Sequence, residues 1–247
     1  MKYIVPFFML FVLQGYAQDN ALKPSEEKSK ARQVLLLPFQ PTCYMSDIDK
    51  KISESSSNCN FDYIVNTFRA QLDIYLANEL KQLYVSHKYT GDPSAENLKQ
   101  LNDAYNAFKY QFTPVENTVL KEKGDKNTPI KGGQIVVKQN TTPEFMNATV
   151  ADKDQFSKLC RIYNSDYFIL VNQFEVVQDY YSSEVNSRQI KVHYAIVNRQ
   201  GENIKGGIAS ASFSSNTSNI QEIIKATFPA IAKTVSASVV NESVLKK

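Results

Sequence analysis

Hydrophobic and polar positions fall into blocks whose periods predict the elements. Solid or alternating apolar runs predict strands at 33–39, 166–177, 188–198 and 204–213. The second is apolar at every position from 167 to 171, which suits a strand covered on both faces. Past that point alternation places Asn172, Phe174 and Val176 on one face, with Gln173, Glu175 and Val177 on the other. In the third run Ile190, Val192, Tyr194 and Ile196 form the core face and His193 points the other way. Gly206 and Gly207 weaken the fourth.

Three- and four-residue steps predict the helices. Phe61, Ile64, Val65, Phe68, Leu72, Leu76, Leu80 and Leu83 mark a long amphipathic helix capped by Asn60, with His87 at its end. A second, capped by Ser94, carries the stripe Leu98, Leu101, Tyr105, Phe108 and Phe112 and completes a helical hairpin. Asp152-Lys-Asp-Gln155 opens a third, with Phe156, Leu159, Cys160 and Tyr163 on its buried side. The last carries Ile220, Ile223, Ile224, Phe228, Ile231 and Val235, and Pro229 is expected to bend or divide it. Residues 41–60 read as a polar loop, and 113–150 as a surface excursion with a short strand at 134–138. The order predicts an α/β (α+β) layered sandwich, a mixed sheet of about four or five strands packed against long amphipathic helices. Residues 32–240 are expected to form a single domain, with the hairpin and excursion at 93–150 and a frayed tail at 241–247.

The amino terminus changes where this domain is expected to work. Lys2, an apolar run over 4–13, and the small residues Gly15 and Ala17 predict a signal peptide over 1–17, cleaved near Ala17. The run is about half the roughly 20 residues a spanning helix needs. Residues 18–31 read as a flexible leader, and no transmembrane segment is expected in the mature chain, which is placed in the periplasm or outside the cell. Without Lys2 the basic count falls from 28 to 27 against 25 acidic side chains, which disfavours a nucleic-acid partner. Glycine is scarce, 8 in 247, and no phosphate-cradling loop occurs, so no cofactor is implied.

Candidate chemistry is sparse. The histidines number 2, His87 and His193, and no zinc spacing occurs. Tyr44, Asp47 and Asp49 follow the first strand, where α/β folds place ligand loops. Two carboxylates there could bind a cation or act as acid and base, or simply cap and solvate the loop. Asn172, Gln173 and Glu175 form either a pocket floor or a structural polar network. Cys43 and Cys59 either close a disulfide loop, which would stabilise the fold by about 3 kcal/mol, or remain packed thiols.

Three segments carry a resemblance: Leu37-Pro38-Phe39, Asp166-Tyr167-Phe168 and Val197-Asn198-Arg199-Gln200-Gly201. They are similar to pieces of the curli-secretion lipoprotein family, the penicillin-binding-protein activator lipoproteins and the TolB amino-terminal domain. The likeness covers 33–80 and 152–235, and this chain departs from it in lacking a lipidated cysteine and in its insertion over 93–150. Pro38-Phe39 with Tyr44-Met-Ser-Asp47, Asn172-Gln-Phe-Glu175 and Val192-His-Tyr194 also resembles an uncharacterised family of exported Bacteroidetes proteins. The first resemblance implies a periplasmic domain that works by contact with other envelope proteins. The expected function is therefore non-enzymatic assembly in the bacterial envelope. The alternative is a periplasmic hydrolase or small-ligand module built on Asp47, Asp49 and Glu175.

Overall fold

The computed structural model describes residues 32–55, 59–82, 86–89, 95–115, 144–178 and 187–245. Its spine is β6 (Tyr167–Gln178), which runs antiparallel to β7 (Ser187–Asn198), itself antiparallel to β8 (Asn203–Ser214). On the other side of β6 lie two short parallel strands in succession. β1 (Gln33–Leu37) pairs Val34 with Tyr167 and Leu37 with Leu170, and β2 (Tyr44–Ser46) pairs Tyr44 with Phe174. β3 (Ser86–Tyr89) extends the sheet beyond β1, again in parallel. The result is a 6-stranded mixed sheet in the order β3-β1-β6-β7-β8, with β2 alongside β6. The chain has the α/β fold its element order predicts.

Both faces of the sheet are covered. On one, α1 (Asp49–Ser55), α2 (Phe61–Gln82) and α5 (Ile220–Leu245) bury Val34, Leu36, Ile169, Val171, Ile190 and Val192. At its centre Phe174 packs against Phe39, Phe68, Tyr44 and Phe228, with ring centroids 5.1, 5.2, 5.8 and 6.1 Å away. On the other face, α3 (Ala95–Asn106), α4 (Lys153–Tyr163) and the antiparallel pair β4 (Phe108–Pro114) and β5 (Glu144–Val150) cover Leu35, Leu37, Phe168, Leu170, Ala195 and Val197. Double coverage explains the consecutive apolar positions of 167–171, every one of which is buried.

Local chemistry sets the helix ends. Asn60 Oδ1 accepts the Tyr63 N–H, and Asp152 Oδ1 accepts those of Asp154 and Gln155. Asn164 closes α4 in the left-handed region, φ 46°. Gly201, φ 83°, makes the tight β7–β8 turn, a backbone conformation that a side chain would strain.

Several expectations are corrected. The second helix stops at Asn106, and Phe108 and Phe112 belong to β4. Their four-residue spacing fits a helix, but it is also a multiple of two and keeps them on one side of a strand. No helical hairpin forms: β3 separates α2 from α3, which serve opposite faces, and His87 lies on β3. The loop at 41–60 holds β2 and α1, and the excursion ends in β5. α5 is one continuous helix, because Pro229 and Lys225, whose carbonyl it cannot serve, are both on the water-facing side. Its helical residues extend to Leu245. Over Ile220–Val240 it is long and apolar enough to cross a membrane, with mean hydropathy 1.3, yet its apolar side is spent on the core. Residues 1–31, the Ser94 cap, Leu83 and the strand at 134–138 lie outside the described residues.

Candidate functional site

The loop after β1 builds an open groove of about 460 Å³ where β2, α1 and the start of α2 meet the far end of β6. Tyr44, Phe61, Val176 and Val177 give it an apolar lining, and Asp47 and Asp49 stand at its edge. The Tyr44 hydroxyl donates to Asp49 Oδ1 at 2.6 Å, and burial, reinforced by that bond, pushes the phenol far above its ordinary pKa. The Asp47 carboxylate is held by Arg188 of β7, and the Asp47 backbone N–H donates to the Val176 carbonyl at 3.2 Å. Both carboxylates thus have partners. Phe61, 56 % exposed, meets Tyr44 edge-on at 5.9 Å, and Met45 beside it is 54 % exposed. An apolar side chain from another molecule fits these surroundings better than a reaction that needs a free acid and base.

A second polar group lies on the opposite face. The β6–β7 register shifts between Val171 and Gln173, so a bulge sits at Asn172. Val171 and Phe174 therefore face the same core with two residues between them, and Asn172 does not share a face with Phe174 as strict alternation predicts. Asn172 Nδ2 donates to the Met146 carbonyl of β5 at 2.9 Å, while His193 Nδ1 accepts the Met146 N–H at 2.8 Å. Further along, Asn203 Nδ2 donates to the Ala148 carbonyl at 3.0 Å. Side chains of the main sheet thus satisfy the backbone of β5 on the side away from β4, where a neighbouring strand would otherwise be needed. His193 Nε2 sits 3.3 Å from Glu175 Oε1, off the line of a good hydrogen bond, and Gln173 donates to the same carboxylate.

The His193 imidazole, aided by Lys191 and Gln173, holds the Glu175 carboxyl below its ordinary range against the opposing effect of burial. A carboxyl with a lowered folded-state pKa contributes its full stabilisation above the ordinary glutamate range and loses it as pH falls through the lower folded value. Urea unfolding measured from about pH 6 down to about pH 3 is therefore expected to show a shallower acid decline for Glu175→Gln than for the unsubstituted chain. Equal declines would contradict the assignment.

The candidate residues thus separate into two places. Tyr44, Asp47 and Asp49 gather at the groove, and Asn172 and Glu175 do not join them. Tyr44 stands opposite Phe174 and faces the aromatic core, while Met45 stands opposite Glu175 and faces away from it. Asp49 and Glu175 consequently occupy opposite faces of the sheet, and the three carboxylates form no common pocket. The Cys43–Cys59 bridge is not formed: all three cysteines are free thiols. Cys43 stands among the Tyr105 and Tyr110 phenols, whereas Cys59 packs against the α2–α5 core. Among the described residues no group of three or more His, Cys, Asp or Glu could hold a metal ion. Sequence reasoning missed Phe61 as a rim residue and His193 as the acceptor for β5. The available signals were a helix-initiating aromatic outside the packed turns and a polar residue at a covered strand position.

No family model matches this chain, and no curated protein matches it. Among solved structures it is similar to a PelC dodecamer from Paraburkholderia phytofirmans, at 7% sequence identity and a TM-score of 0.34, over 84% of this chain and 89% of that one. A TM-score of that size establishes neither a shared fold nor a shared activity.

Proposed function

We propose that the chain is a non-catalytic protein of the bacterial envelope that acts through contact with other proteins, using the groove between β2 and α2 to take an apolar side chain of its partner. The observation that carries this reading is the groove's combination of exposed Phe61 and the apolar lining of Tyr44, Val176 and Val177 with carboxylates already engaged by Arg188 and Tyr44. An exposed aromatic side chain beside an apolar depression is a typical anchor for protein association. The apolar amino terminus and the segments resembling periplasmic lipoprotein domains support the placement in the envelope. The hydrolytic alternative has less support, because Glu175 lies across the sheet from Asp49. Co-purification from envelope fractions tests the proposal: the tagged chain is expected to retain a partner that Phe61→Ser releases while the thermal midpoint stays nearly unchanged. Recovery of the chain alone, or a partner indifferent to Phe61→Ser, would overturn it.

A further inference from the structure

We propose that His193 is an acid-sensitive latch for β5: proton uptake at Nδ1 breaks its bond to the Met146 amide and lets the Glu144 end of the strand lift from the sheet. The proposal stands independently of the groove. His193 is 3 % exposed, and its Nδ1 accepts the Met146 N–H at 2.8 Å. A ring nitrogen that accepts carries no proton, so the neutral imidazole holds its proton on Nε2, the side of Glu175. A second proton has only Nδ1 to go to. There it would face the Met146 N–H, donor against donor, at a position buried from water, and both groups would lose their partner. The attached arrangement of β5 therefore favours the neutral ring, and a charged ring favours the lifted one.

Only groups that differ between the attached and lifted arrangements can couple a proton to the movement. Glu175 on β6, with Oε1 3.3 Å from Nε2, attracts an imidazolium, and Lys191, two residues away on β7, repels one. Both stand on strands that pair with each other along their length, so they act alike whether β5 is attached or lifted. β8 sets uncharged Ile208 opposite His193 and Ser210 opposite Lys191, and from β2 Met45 faces this side while Tyr44 faces the other. Among the described residues the one ionisable side chain of β5 is Glu144, exposed at the strand's start and screened by solvent, and β4 sets Phe112 opposite Met146. The Met146 amide is thus the group that changes. The remaining attachments decide where the strand opens. Beyond its far end the Ala151 and Asp152 N–H groups donate to the Ala107 carbonyl at 2.9 and 3.3 Å, and Asn203 holds the Ala148 carbonyl at 3.0 Å. Toward Glu144 the polar hold of the sheet falls on Met146, from His193 and Asn172, with Phe145 lying over Gly206. Loss of the His193 bond therefore loosens the first half of β5 and leaves the second half in place.

Amide hydrogen exchange followed by NMR between about pH 8 and pH 5, a range above ordinary glutamate titration, tests the latch. After correction for the intrinsic pH dependence of exchange, protection of the Met146 amide is expected to fall about tenfold toward pH 5, while Leu72 at the centre of α2 stays unchanged. His193→Asn can set an amide oxygen near the place of Nδ1 without a group that titrates, so its Met146 amide should keep the same protection at both ends of the range. Nitrogen NMR of the ring in the unsubstituted chain supplies a reading that does not depend on the variant's folding. It should place the ring proton on Nε2 at pH 8, and the charging of His193 should share one midpoint with the loss of Met146 protection. Unchanged Met146 protection across the range, a tenfold fall that persists in His193→Asn, a ring proton on Nδ1 at pH 8, or separate midpoints would each overturn the proposal.

Discussion

Replacing Phe174 with alanine is expected to destabilise the protein by about 3–5 kcal/mol, the range for removing a buried aromatic ring from a packed core. Phe174 is fully buried and touches rings contributed by β2, α2, α5 and the segment after β1. Those elements come from distant parts of the chain, so the cavity left behind is walled by pieces that cannot all close on it. The same substitution at Phe112, 53 % exposed on β4, is expected to change stability by under about 0.5 kcal/mol. Urea denaturation of both variants makes the comparison. Similar losses at the two positions would show that the aromatic cluster does not hold the α2–α5 layer to the sheet. The groove depends on this ring as well, because Tyr44 is positioned between Phe174 and Phe61.

The second large effect is at Gly206. A Cβ there would lie 2.6 Å from the Phe145 ring and 3.2 Å from Asn147 Oδ1. Gly206→Ala is therefore expected to cost about 1–3 kcal/mol through overpacking, spent mainly on lifting β5 away from the sheet. Hydrogen exchange should show the loss locally, with protection falling at the Met146 amide while the centre of α2 is unchanged. Adding Phe145→Ala removes the colliding ring, so the double variant should be less destabilised than the two single losses added together. Strict additivity would mean that the close approach of ring and glycine has no energetic consequence.

How far the sequence disclosed this arrangement depended on what each signal requires. The β6–β7–β8 meander, α2, α4 and α5 were legible because each has one periodicity sustained over several turns or pleats. Double coverage of β6 was legible too, from its unbroken apolar stretch. Phe108 and Phe112 misled because their spacing satisfies both periods, and only the chain's return through β5 decides between them. The bulge at Asn172 left no local mark, since it is a property of the pairing with β7 and not of either strand alone. It is also what sends Asn172 to Met146 and not toward the aromatic core. The groove was half legible: Tyr44, Asp47 and Asp49 were drawn from their position after the first strand, whereas Glu175 was drawn as one of the polar residues embedded in the β6 strand. Register relative to β2 put Glu175 on the other face. Gly206 was visible as a weak strand residue, but its use, admitting Phe145, needed the partner segment in view.

The most direct test of the proposed function is site-specific photo-crosslinking in intact cells, with a photoreactive side chain at Phe61 and, as a control, at Ile162, which is 61 % exposed on α4. Contact through the groove predicts a covalent adduct with a different envelope protein from position 61 and none from position 162. Equal labelling from both positions, or no adduct from position 61, would contradict it.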